Sequence, residues 1–232
     1  MRRLIFLVLI AIALAGCGSE ADHNVLFIGN SYTHFNDMPG IVETIGDANG
    51  VSIATEMIAP GGAFLHEHRA NPNVSNALQS GEFDIVVFQE QSVAPSVPAF
   101  AQDNTLPAAE SLDAVADNSG VRVIWFQTWG HVNGFPSEGH NSYESMQAAI
   151  VSTYDAIAQR NGGTIARVGE TWSRARDSAG TALYDPDGTH PSPAGSYLAA
   201  IEITETIMGQ PIVVAPGIDS VNDRTAQALA DS

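Results

Sequence analysis

Two stretches of this sequence carry side chains able to move a proton. One is Val25-Leu26-Phe27-Ile28-Gly29-Asn30-Ser31, an apolar run that ends in a hydroxyl. The other is Asp185-Pro186-Asp187-Gly188-Thr189-His190, where the Asp187 carboxylate precedes the His190 imidazole by three residues. An aspartate at that spacing in a tight turn can reach Nδ1 of the histidine. That contact fixes the tautomer, stabilises the imidazolium and leaves Nε2 free for a serine hydroxyl. Ser31 is then a candidate nucleophile and His190 its base. Taken alone, Ser31 reads equally well as a turn or cap residue, because Gly, Asn and Ser all form turns. Asp187-Gly188 likewise reads as a solvated turn carrying a surface histidine.

The elements around these stretches decide between the readings. Val25–Ile28 is a short continuous apolar run, as expected of a strand buried on both faces. Further strands are expected at Ser52–Ile58, Asp84–Phe88, Val121–Phe126 and, more weakly, Thr164–Val168. Helical spacing marks Met38–Asn49, with Asp37 as N-cap and Pro39 near its start. It also marks Asn73–Ser80, Asn104–Asn118 and Ser142–Arg160. Ser192-Pro193 opens a last helix that runs to Met208. Alternating strands and helices imply a parallel sheet covered on both faces. The expected fold class is α/β: a three-layer α/β/α sandwich with a flavodoxin-like parallel sheet of about five strands. In such folds functional groups sit on loops beyond the carboxyl ends of the strands. Ser31 and His190 both fall there, on the same edge.

Composition narrows the function. The chain has 232 residues, enough for one sizeable core, and 26 acidic residues against 9 basic ones give a net charge of −17. No lysine is present. A nucleic-acid partner is excluded, since phosphate binding needs basic clusters. Residues 1–16 read as a signal peptide, with Arg2-Arg3 ahead of the apolar run Leu4–Gly16, which is too short for a membrane span. Leu14-Ala15-Gly16-Cys17 places the lone cysteine where a bacterial lipoprotein signal puts its lipidated residue, so acyl chains on Cys17 are expected to hold the protein at a membrane. Cell-envelope localisation follows, at the outer membrane or its periplasmic face. The expected organisation is signal peptide 1–16, tether 17–24, catalytic domain 25–208 and a loosely packed C-terminal tail 209–232.

The blocks resemble the SGNH (GDSL-type) hydrolase family, in its bacterial lipoprotein members with Gly-Asn-Ser and Gln-Glu-Gln-Ser blocks. Gly29-Asn30-Ser31-Tyr32-Thr33 is similar to the first block, with Asn where Asp is usual. Pro60-Gly61-Gly62-Ala63 matches the second, and Asp187-x-x-His190 the last. The third departs: the family's Gly-x-Asn is replaced by Gln89-Glu90-Gln91-Ser92 after the third strand. Gln91 falls on the asparagine position, and Gln89 is the alternative donor. The resemblance spans roughly residues 25–208. It implies a Ser31–His190–Asp187 triad and an oxyanion hole built from the N–H groups of Ser31 and Gly62 and the Gln91 amide. The implied reaction is hydrolysis of a small acyl or acetyl ester, with a carbohydrate ester as one candidate substrate and no cofactor or metal. An acyltransferase on the same site, or a binding lipoprotein without turnover, are the alternatives.

Other polar residues have plainer expectations. His66-Glu67-His68 lacks a third metal ligand at useful spacing. Glu90 is expected to point away from the oxyanion hole or to be paired. Trp129 reads either as a stacking platform for substrate or as a buried aromatic. His131 and His140 fall in a Gly- and Asn-rich loop expected to rim the substrate site. Met38, Met57 and Met146 read as core.

Overall fold

The computed structural model describes residues 21–178 and 183–231. The expected signal peptide and the first half of the tether, with Cys17, lie outside them. Strands β1 (His23–Ile28), β2 (Ile53–Ile58), β3 (Ile85–Phe88), β4 (Arg122–Phe126) and β5 (Thr164–Ala166) form one parallel sheet in the order β2-β1-β3-β4-β5. Val25 pairs in register with Ile85, and Ile85 with Arg122, so β1, β3 and β4 end level with one another. The three-layer sandwich expected from the sequence is present.

Alternation along the central strands divides the core. Val25, Phe27, Ile85, Val87, Ile124 and Phe126 face one layer; Leu26, Ile28, Val86, Phe88, Val123 and Trp125 face the other. The first layer is covered by helices α2 (Met38–Ala48), α7 (Val168–Ser178), α8 (Pro193–Met208) and α9 (Asp223–Ala230). The second is covered by α3 (Leu65–Ala70), α4 (Pro72–Leu78), α5 (Leu106–Asn118) and α6 (Tyr143–Asn161). A one-turn helix, α1 (Ser31–His34), follows β1 directly.

Four expectations need correction. Met57 is 47% exposed: it shares a face with the buried Ile53 but sits near the carboxyl end of β2, the edge strand. Asp37 precedes α2 with a left-handed backbone and no side-chain cap bond. Val168, expected to close the fifth strand, instead opens helix α7, in which Val168, Trp172 and Ala175 share a fully buried stripe at helical spacing. The C-terminal tail is packed rather than loose. Asn222 caps α9 through the Thr225 N–H, and Ala215, Val221, Ala226 and Leu229 join the core of the first layer.

Candidate active site

In a 2-1-3-4-5 sheet the ligand crevice opens between β1 and β3, where successive connections leave in opposite directions. Ser31 follows β1 and Gln89-Glu90-Gln91 follows β3, so both blocks border that crevice. Asn30 fixes the serine turn. Its Oδ1 accepts the Tyr32 N–H at 3.1 Å as the cap of α1, while its Nδ2 donates to the Ala63 carbonyl at 2.9 Å. An aspartate could make the first bond but not the second. The amide therefore ties the serine turn to the Gly61-Gly62 loop. Gly29 is held for space: a Cβ there would lie 2.3 Å from Thr33 Oγ1 and 2.5 Å from Gln89 Oε1. Gly62 has φ of +75°, in a turn closed by the Ala63 N–H donating to the Pro60 carbonyl. Among the described residues neither the Ser31 nor the Gly62 N–H has a protein acceptor.

His190 arrives from the other end of the chain. Its Nε2 lies 2.9 Å from Ser31 Oγ, and its Nδ1 lies 2.6 Å from Asp187 Oδ2. Asp187 Oδ1 accepts the N–H groups of Thr189 at 2.8 Å and His190 at 2.9 Å. Partial desolvation works against the Asp187 charge. The His190 bond and the two backbone donors outweigh it and hold the carboxyl well below the usual range. The structure thus brings together the three side chains singled out at the start, across 159 residues of sequence between Ser31 and His190.

Aromatic packing supports the imidazole. Phe35 stacks on His190 with ring centroids 4.4 Å apart. Tyr32 meets the His190 ring edge-on at 5.6 Å and stacks at 4.5 Å on Trp129, which stacks at 3.9 Å on Trp172. Trp129 is fully buried, and its Nε1 donates to the Thr189 carbonyl at 3.0 Å. It braces the histidine loop from beneath and is not a platform for substrate. Asn36, with φ of +54°, donates through Nδ2 to the Pro191 carbonyl and to Ser196 Oγ, clamping the serine segment to the histidine segment. The Phe35 and Asn36 contacts left no mark in the sequence pattern, since each spans more than 150 residues.

The two glutamines differ in circumstance. Gln89 is fully buried; its Oε1 accepts the Asn30 N–H and the Thr33 hydroxyl, each at 2.9 Å, and its Nε2 donates to the Glu90 carbonyl. Its carbonyl oxygen holds the serine turn against β3. Gln91 lines the crevice beside Ser31 and Gly62. Its Oε1 accepts the N–H groups of Val93 at 2.7 Å and Ala94 at 3.1 Å, and its Nε2 has a single 3.3 Å contact, with Ser92 Oγ. Glu90 is paired, as expected: it is buried and accepts from Leu65 N–H, Gln91 N–H and Thr105 Oγ1. Burial raises its pKa against those bonds.

His66, Glu67 and His68 do not converge on a point. His68 Nε2 lies 2.7 Å from the Gly29 carbonyl, Glu67 accepts the Phe64 N–H, and His66 packs against Phe64 and Phe100. Burial lowers the His68 pKa, so the neutral ring donates to Gly29. His131 lines the crevice, whereas His140 turns away and bonds the Ser96 carbonyl at 2.7 Å. The crevice has a volume of about 620 Å³. A depression of about 580 Å³ between α6 and α7 holds Arg176 over the Tyr143 ring but brings no base to a nucleophile.

A protein from Slackia heliotrinireducens assigned as an SGNH hydrolase is 31% identical to this chain, over 80% of this chain and 98% of its own, with a TM-score of 0.64. The chain belongs to the SGNH hydrolase family. Two further structures share the fold. A DUF4886 family protein from Bacteroides uniformis matches at 20% identity and TM-score 0.72, over 90% of this chain and 93% of its own. Axe2, an acetylxylan esterase from Geobacillus stearothermophilus, matches at 15% identity and TM-score 0.59, over 81% of this chain and 94% of its own. No protein-family profile and no curated protein matches the sequence.

Proposed function

We propose that the protein is a serine esterase acting on small acyl esters through Ser31, His190 and Asp187. One observation carries the reading: a single imidazole bonds the Ser31 hydroxyl with one nitrogen and the Asp187 carboxylate with the other, at 2.9 and 2.6 Å. His190 takes the Ser31 proton as Oγ attacks the ester carbonyl. The tetrahedral oxyanion is met by the N–H groups of Ser31 and Gly62 and by the Gln91 amide. His190 then protonates the departing alcohol, and water repeats the sequence on the acyl-enzyme. Gln91 takes the donor role rather than Gln89, because Gln91 lines the crevice beside Ser31 while Gln89 is fully buried against Asn30 and Thr33.

An acetyl ester on a carbohydrate is the leading candidate, a reading the likeness to an acetylxylan esterase supports. Lipidation at Cys17 would put this chemistry at an envelope membrane. Among the described residues no helix is long and apolar enough to cross one, so attachment through acyl chains is the route proposed.

A serine-reactive fluorophosphonate tests the mechanism. Labelling of the wild type that disappears in Ser31→Ala is expected; a well-folded wild type that takes no label refutes it.

A further inference from the structure

We propose that His131 is a specificity residue that hydrogen-bonds a hydroxyl on the alcohol half of the ester, so that the enzyme prefers acetylated polyols and sugars to esters of plain alcohols. The inference rests on the esterase reading above and adds which half of the substrate is recognised, and by what.

The placement follows from the reaction's direction. His190 must hand its proton to the leaving oxygen, so the alcohol half lies on the His190 side of Ser31, away from the oxyanion donors. His131 is fixed on that side. The Val132 N–H donates to the Gly188 carbonyl at 3.0 Å, Trp129 Nε1 donates to the Thr189 carbonyl at 3.0 Å, and the Tyr184 hydroxyl donates to the Gly130 carbonyl at 2.8 Å. These bonds zip residues 129–132 to the loop that carries Asp187 and His190. His131 lines the same crevice as Ser31, Gly62 and Gln91.

The ring is also held ready. Its backbone N–H contacts Met146 Sδ at 3.3 Å, and the ring meets Phe135 edge-on at 6.1 Å. Among the described residues its Nε2 is buried without a hydrogen-bond partner. An unsatisfied polar atom beside a binding crevice is a place where a ligand can complete the bond once the ring turns toward it. Burial lowers the pKa of this ring, with Asp187 opposing and His190 adding to the effect. At neutral pH it is an uncharged imidazole with one donor and one acceptor, which suits a sugar hydroxyl rather than a charged group.

Glycerol monoacetate and propyl acetate isolate the effect, since they differ only in the hydroxyls of the alcohol. The readout is the ratio of their kcat/KM values, measured on variants whose melting temperature stays near the wild-type value. In His131→Phe, which keeps the aromatic contact, the ratio is expected to fall about tenfold, mostly through KM of the glycerol ester. His131→Gln, which can still donate and accept, is expected to recover most of it. A wild-type ratio preserved in His131→Phe overturns the role of His131 and leaves the esterase standing. A wild type that cleaves neither ester and takes no fluorophosphonate overturns both.

Discussion

Replacing Gln91 by glutamate changes one atom and separates two jobs. The Gln91 Oε1 accepts two backbone N–H groups, from Val93 and Ala94, and a glutamate keeps both bonds. The amide NH₂, proposed above to meet the oxyanion, is replaced by an acceptor with negative charge. Loss of one such donor costs about 10²–10³ in turnover, or about 2.7–4 kcal/mol of transition-state stabilisation. The prediction is a fall in kcat of at least that size, little change in KM and a melting temperature near the wild-type value. Gln89→Ala supplies the contrast. It strips the acceptor from the Asn30 N–H and the Thr33 hydroxyl in a fully buried setting. Each group left unmade costs about 1–3 kcal/mol. At roughly 2–4 °C per kcal/mol for a chain of this size, a loss on the order of 5–15 °C in Tm is expected. Steady-state kinetics on p-nitrophenyl acetate and a thermal melt read both. Turnover within threefold of wild type in Gln91→Glu would refute the assignment of that amide to the oxyanion.

The remaining predictions concern the triad, its brace and the anchor. Asp187 is held below the ordinary carboxylate value of about 3.9, so in acid the unfolded chain binds a proton here that the folded chain does not. Its stabilising contribution is full above that value and drains away as pH falls toward the lower folded pKa. The Tm gap between wild type and Asp187→Asn should shrink below about pH 4, and a gap unchanged down to pH 2 would contradict this. Trp129→Ala should cost about 3–5 kcal/mol of stability and reduce kcat, without a selective rise in KM for sugar esters; such a rise in a well-folded variant would restore Trp129 as a substrate platform. Cys17→Ser should abolish incorporation of labelled palmitate and release the protein from the membrane fraction; retention of the label would end the lipoprotein reading.

Much of this architecture was legible because the central strands are buried on both faces and write uninterrupted apolar runs. Ile85–Phe88 and Val123–Phe126 could hardly be anything else. Ser192-Pro193 announced α8 through a cap and a fixed φ, and the structure shows Ser192 accepting the Gly195 N–H. Local signals of that kind end where the information becomes spatial. Trp172 and Ala175 carry the buried face of α7, but Thr171 before them and Ser173 and Arg174 between them dilute the apolar pattern. Met57 looks like core until β2 is known to be an edge. The sequence placed Gln91 on the asparagine position with Gln89 as the alternative; the burial of Gln89 against Asn30 and Thr33 is spatial and left no sign in the pattern. The Asp187–His190 pair was readable because it is local, three residues apart on one turn.

The separation of 159 positions between Ser31 and His190 bears on how the proposed enzyme comes to life. A chain that emerges amino end first displays its hydroxyl long before the imidazole is synthesised, and on the proposed mechanism it stays inert until α8 docks against α2. A fragment lacking Ser31 or His190 is expected to have no esterase activity. Catalytic turnover is therefore a report of completed folding, and the recovery of esterase activity after dilution from denaturant should track the slowest step in assembling the whole sandwich rather than the appearance of its central strands.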